Sequence, residues 1–202
     1  MFINILSGII FMFFILFYYS KLMIQKKQKI EAFKLGKGKK ESSTIEIFVR
    51  ICTLIWGGTW LLEVLFSEKI EKILGNIFIN ENIRYLGIFL NLFGLLIFSI
   101  AMITMKNSWR VGIDKDIKTE FIKHGIYKFS RNPAFVGFDL MFIGLFFTFN
   151  NLIVLLIALL NIIGLDLLIK KEEKHLEEMF GEKYKKYKKD VKRYINLNIN
   201  HT

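Results

Sequence analysis

The chain is poor in the residues that staple or coordinate. Its 202 residues include one cysteine, one proline and three histidines. Cys52 lies alone inside an apolar run, so it builds neither a disulfide nor a zinc site, and His175 has no second ligand at helical spacing; no metal is expected. Acidic residues are scarce too, 18 against 29 Lys and Arg, for a formal net charge of +11. The glycines of "LGKGKKESS" (35–43) lack the spacing of a phosphate-binding loop, and no strand precedes them. Nucleic-acid binding is not expected either, because no soluble stretch is long enough to hold a recognition fold.

What is present is hydrophobicity: 53% of the residues, with Phe alone contributing 21. Five stretches approach the roughly 20 residues that cross a bilayer: Phe2–Ile24, Ile45–Phe66, Ile83–Met105, Pro133–Phe149 and Leu152–Ile169. Asn150-Asn151 separates the last two, which reads as a tight helical hairpin. The expected fold is an all-α integral membrane protein of about five transmembrane helices, the hairpin preceding a basic amphipathic C-terminal helix. Residues 1–104 hold the first three helices, and 105–202 an inner loop, the hairpin and that last helix, in one membrane domain.

The charges are sorted along this pattern. The first apolar run has no basic residue before it and Lys21, Lys26, Lys27 and Lys29 after it, the reverse of a cleavable signal peptide, so it reads as a retained helix. Residues 21–40 carry eight Lys, 106–131 seven Lys or Arg, and 170–193 ten. Residues 67–82 carry only Lys69 and Lys72, beside Glu68, Glu71 and Glu81. The positive-inside rule puts the N-terminus outside and the tail in the cytoplasm, and the basic clusters against anionic lipid headgroups. Oligomeric state is not encoded in any of this.

Gly57-Gly58, Gly87, Gly94, Gly137 and Gly144 fall within helices, where small residues allow close packing. The seven-residue intervals from Gly87 to Gly94 and from Gly137 to Gly144 place each pair on one face. In the tail, Phe180, Tyr184, Tyr187, Val191 and Tyr194 recur at steps of three and four with Lys between them. That periodicity predicts a basic amphipathic helix along the membrane surface. Glu63, Asp139 and Asp166 fall inside predicted helices, where charge is costly.

The stretch "HGIYKFSRNPAF" (124–135) is polar immediately before an apolar run. Pro133 suits a first helical turn, and Asn132 before it suits an N-cap. The approach to it, "SWRVGIDKDIKTEFIKHGIY", is a long inner loop with Trp109, Arg110, Asp114 and Tyr127, and such loops are often functional. "GIYKFSRNPAFVGF" resembles the G-x-Y-x-x-x-R-H-P-x-Y-x-G signature of the isoprenylcysteine carboxyl methyltransferase and phospholipid methyltransferase superfamily. "KKEEKHLEEMFGEKYKKYKKDVKRYI" is similar to its second signature, E-E-x-x-L-x-x-x-F-G-x-x-Y-x-x-Y. "SWRVGID" (108–114) resembles a bacterial branch with R-N-P in place of R-H-P. The match runs over roughly 105–195, with a hairpin between the two motifs.

This resemblance implies a membrane-embedded methyltransferase using S-adenosylmethionine, held at the cytoplasmic side of a bacterial inner membrane without a Rossmann domain. It implies a small lipophilic acceptor: a carboxylate, thiol or lipid amine. Carried over by position, Thr119, Glu120, Phe121 and Ile122 would line the cofactor, with Tyr127, Asn132, Pro133, Ala134 and Phe135, and with Glu172 facing its ammonium group. Arg131, Asn132 and Glu173 would be catalytic, and Trp109, Arg110 and Asp139 would meet the substrate. Asn132 replaces a His, Phe135 a Tyr and Thr119 a His. Leu168 stands where an Arg meets the prenylcysteine carboxylate, which argues against that substrate, although Lys170 and Lys171 lie nearby. Methyl transfer from a sulfonium is an in-line displacement, for which orientation and a dry site are the main devices. Two other readings remain: an NADPH-dependent membrane reductase of the sterol reductase type, using Arg110, Arg131 and the Lys cluster, and a non-catalytic lipid-binding protein.

Overall fold

The computed structural model describes residues 2–28, 40–109 and 120–195, side chains 40–43 excepted. Among the described residues there are six α-helices and no strand: α1 Phe2–Lys27, α2 Lys40–Leu74, α3 Glu81–Met105, α4 Pro133–Phe149, α5 Leu152–Phe180 and α6 Glu182–Asp190. α1, α2, α3 and α5 are long and apolar enough to cross a membrane. α4 is apolar but has 17 residues, about 25 Å at 1.5 Å per residue, and is somewhat short of the full count. Its limits are chemical. Pro133 occupies the first turn, and Asn150, at φ 25°, ends the helix. Asn151 then caps α5, its Oδ1 accepting from the Val154 N–H at 3.1 Å. The expected hairpin is there.

The helices run past the apolar stretches that announce them. α5 continues eleven residues beyond Ile169, through Lys and Glu that are good helix formers. α2 bends at Phe66, where its φ and ψ leave the helical region and the apolar run also stops.

Loops of like charge gather at like ends. At one end Asn4 donates to Ser67, the Ile77 N–H reaches Asn150 O at 2.8 Å, and Asn151 Nδ2 donates to Glu63 at 2.7 Å. At the other, Gln25 Nε2 donates to the Trp109 carbonyl at 3.0 Å, and the tail folds against residues 127–132. The described ends of the Lys-rich connections therefore share one end of the bundle, and the acidic 67–82 connection takes the opposite one. Glu63 is a structural residue of that acidic end.

α3 and α4 touch backbone to backbone. A Cβ at Gly144 would lie 2.8 Å from Gly87 O, and one at Gly137 2.7 Å from Gly94 O. The two glycine pairs thus face each other in antiparallel register, each pair on one face as its seven-residue interval predicts. Gly57 and Gly58 are otherwise: a Cβ on either meets nothing within 4 Å, so packing is not their role. Around this seam the core is aromatic. Trp56 stands edge-on to Phe142 at 4.9 Å, Phe98 to Phe138 at 4.8 Å, and Trp60 Nε1 donates to Ser7 at 2.8 Å.

Gly94→Ala and Gly137→Ala are each expected to cost about 1–3 kcal/mol by forcing the seam open. The double variant should lose less than their sum, since both widen the same contact. Gly58→Ala should leave stability almost unchanged. Thermal melts in detergent check all four.

Candidate active site

The approach to α4 is set by a 3-10 turn, Gly125–Lys128, which starts at Gly125 with φ 60°. A left-handed residue there favours glycine. The turn drops Tyr127 against Ala101 and Ile122, where it is buried. Burial, then the neighbouring Tyr187 and the Glu172 carboxylate, push the Tyr127 phenol far above its ordinary value. It is a neutral group at any working pH, able to donate or to stack and unable to serve as a phenolate base. The Tyr187 hydroxyl, also raised chiefly by burial, donates to the Tyr127 carbonyl.

Beyond the turn lies a dense polar lock. Arg131 directs Nε and Nη2 to Glu173 Oε1, at 3.1 and 2.8 Å. Asn132 Nδ2 donates to the same oxygen at 3.1 Å. Arg193 takes Glu173 Oε2 at 2.9 Å through Nη2, and that carboxylate raises the Arg193 pKa. The remaining Arg131 nitrogen, Nη1, donates to the carbonyls of Lys188 and Val191, both at 2.9 Å. Asn132 is therefore not the side-chain cap its position suggested; it makes no capping bond. Its amide is turned to Glu173 instead, and the Ser130 hydroxyl accepts from the Asn132 N–H at 3.0 Å.

The lock closes one end of a cavity of about 630 Å³. Glu172 is on the cavity wall and Glu173 is not. Successive helical residues point roughly 100° apart, so one member of the acidic pair faces the cavity while its neighbour holds the floor together. Glu120, Phe121, Ile122, Tyr127, Ala134 and Phe135 join the wall, as do Trp109, Arg131 and Asn132. Pro133 and Asp139 do not. Asp139 Oδ1 is buried without a hydrogen-bond partner. Asp166, which pairs with Lys170 at 2.6 Å and accepts from Tyr194 at 2.8 Å, is also off the wall. Thr119, Arg110 and Asp114 lie outside the described residues. Among the described residues no three His, Cys, Asp or Glu side chains come together as metal ligands.

The wall also uses residues that the two motifs do not announce. Tyr18, Arg50 and Trp56 come from α1 and α2. The second motif itself adds its aromatic positions, Phe180, Tyr184 and Tyr187, for which the sequence named no site role. α5 ends at Gly181, at φ 54°, and α6 turns its aromatic face inward, Phe121 stacking on Phe180 at 5.0 Å and standing edge-on to Tyr187 at 5.4 Å. The periodicity was a correct signal of one apolar face. It did not say that this face would cover a cavity instead of lying on a membrane surface.

Fold and site together define a polytopic helical membrane protein with a polar-ended internal cavity. A family model described as phospholipid methyltransferase matches residues 82–183, half of the chain, spanning α3, α4, α5 and the turn before the tail. The chain belongs to that family, which makes it by class a membrane methyltransferase. Comparison with curated proteins gives no match.

Glu173→Gln should lower stability by about 3–5 kcal/mol, because it leaves the buried Arg131 guanidinium without its counter-charge. Glu172→Gln should not lower it, since Glu172 is a wall residue. Detergent melts of both proteins provide the comparison.

Proposed function

We propose that the chain transfers a methyl group from S-adenosylmethionine to a small lipophilic acceptor at the polar end of this cavity. One observation carries the reading: the entrance to α4 and the acidic pair on α5, far apart in sequence, meet at the polar end of one cavity. The donor set fits the cofactor. The Glu172 carboxylate suits its ammonium group, the rings of Phe121, Phe180 and Tyr184 suit adenine, and the positive end of α4 at Ala134 and Phe135 suits its carboxylate. When bound, S-adenosylmethionine supplies an electrophilic methyl group on a sulfonium.

The protein's own residues orient and exclude water. Arg131, Asn132 and Glu173 act as one unit that fixes the floor; their mutual bonds leave Glu173 no lone pair directed at a substrate proton. Tyr127 stays neutral beside Glu172 and adds polarity without adding charge. Glu120 and the Phe121-Ile122 strip, continuing the Thr119 segment, close the side. A carboxylate or thiolate acceptor needs no base there. A lipid amine would have to deliver its proton to Glu172 or to solvent, since Asp139 stands off the wall. Holding both partners at such a site contributes on the order of 7–11 kcal/mol of barrier reduction in favourable cases.

The loop charges support the Lys-rich end as the inner face of a bacterial cytoplasmic membrane, with the N-terminus outside. An NADPH reductase is less well supported: Arg131, one of the groups that reading assigns to the 2′-phosphate, is spent on Glu173 and two carbonyls.

Purified protein should bind S-adenosylmethionine saturably and transfer labelled methyl into a membrane lipid extract. Glu172→Ala and Tyr127→Ala should each weaken that binding by about tenfold or more, as expected for a lost charged contact or stacking partner. Saturation by NADPH alone, or binding without turnover, would count for the reductase or the lipid-binding reading.

A further inference from the structure

The cavity is longer than its polar end requires, and the surplus runs between α1 and α2. α2 lines it with Arg50, Thr53, Leu54, Gly57, Gly58 and Leu61, steps of three and four that share one helical face. α1 answers from Phe11 to Tyr19 on the same spacing. Leu54, Tyr19 and Leu61 line the space and are also 67%, 56% and 46% exposed, so this arm is open along its side, where a bilayer would lie.

Its far end is blind. A Cβ at Gly8 would sit 3.0 Å from Val64, Phe11 packs on Trp60 at 5.1 Å, and Trp60 is bonded to Ser7. Those contacts bring α1 and α2 together just past Leu61. Between Arg50 and Leu61 the helix rises roughly 16 Å at 1.5 Å per residue. Midway along, Gly57 and Gly58 leave the wall without side chains, and nothing fills the space in front of them.

We propose that this arm is a ruler for one alkyl chain of the acceptor, and that Gly57 and Gly58 are its specificity-determining residues. The chain lies against the two glycines, with its tip at the Phe11–Trp60 closure and its reactive head at Glu172 and Asn132. The Arg50–Leu61 stretch alone, leaving the head group to the polar end beyond it, corresponds to about a dozen extended carbons with C–C bonds near 1.5 Å. A single-chain lipophile fits better than a two-chain phospholipid. Pockets for drug-sized ligands begin near 300 Å³, so a cofactor leaves about half of the 630 Å³. Because the chain arrives from lipid and not from water, burial itself gives little discrimination. Selection comes from fit, at the blind end and over the glycine gap. The identity of the head group's reaction rests on the methyltransferase reading; the ruler does not.

The test uses the full chain in phosphatidylcholine nanodiscs, with octanoic, dodecanoic and stearic acids carrying a terminal diazirine. The dodecanoic probe should label the Phe11 and Leu61 segments saturably. The octanoic probe should label nearer Arg50, and the stearic probe should fail to label the blind end. Gly58→Phe and, independently, Gly57→Leu should cut dodecanoic labelling of Leu61 by roughly tenfold, the scale on which a shape-matched pocket discriminates. S-adenosylmethionine binding should be unchanged in both, which also reports that they fold. Wild-type labelling in both variants, equal blind-end labelling by all three acids, or preferred labelling by a two-chain phosphatidylethanolamine probe would overturn the ruler. Loss of S-adenosylmethionine binding in the wild type, with labelling intact, would instead overturn the methyltransferase reading.

Discussion

The arrangement depends on one buried carboxylate. Glu173 is 3% exposed and holds Arg131, Asn132 and Arg193 at once. These come from three segments: the entrance to α4, the end of α5 and the strap after α6. A carboxylate withdrawn from water is costly unless its lone pairs are matched, and here each oxygen is taken by guanidinium or amide donors. Arg131 is matched in turn, its third nitrogen resting on two tail carbonyls. Charge of this density does not stay folded by halves. Once the strap is released, Arg131 loses two acceptors and Glu173 loses a partner, so the polar end of the cavity exists only when all three segments are in place.

That dependence explains the division between neighbouring glutamates. Glu173 faces inward to the lock, and the next position back on the helix, Glu172, faces the cavity. Helical spacing alone offers no means to choose between them, because both directions are polar and both helical phases satisfy the local pattern. Only the position of Arg131 across the gap decides it. The same holds for Asn132. Beside Pro133 it has every local mark of a cap, yet a charged partner 41 residues away outcompetes the backbone N–H groups. A neutral capping bond contributes about 1 kcal/mol. Bonds to a buried carboxylate are stronger.

What was legible follows the range of the interaction. The hairpin was readable to the residue, because Pro133 and the Asn150-Asn151 pair act locally. That each glycine pair of α3 and α4 shares a face was readable from its interval of seven; that the two faces meet each other was not, because the interval fixes a face and not its partner. The overshoot of α5 to Phe180 was not, because apolar length marks the bilayer and not the helix. Gly57 and Gly58 were misjudged with the other glycines: a small residue in a helix permits either a close neighbour or an open space, and the sequence alone does not say which. The tail's aromatic stripe carried the same ambiguity between a membrane surface and a cavity.

The cavity joins two solvents. Its polar end is built from Glu172, Tyr127, Asn132 and the lock, groups whose charge and hydrogen bonds make sense only near water. Its arm is built from Phe11, Leu54, Leu61 and a bare stretch of α2, and is open where lipid would lie. A hydrophilic cofactor and a lipophilic acceptor would each keep to its own phase until the reacting atoms are close. The aromatic strap under the polar end, Phe180 with Tyr184 and Tyr187, then has a use beyond packing. Under the methyltransferase reading it would keep bulk water from the point where the two phases meet, where a methyl donor is lost to hydrolysis least if water is scarce. Closing that point with a tail tied to Glu173, and not with another membrane helix, would leave the side of the bundle free for such an acceptor.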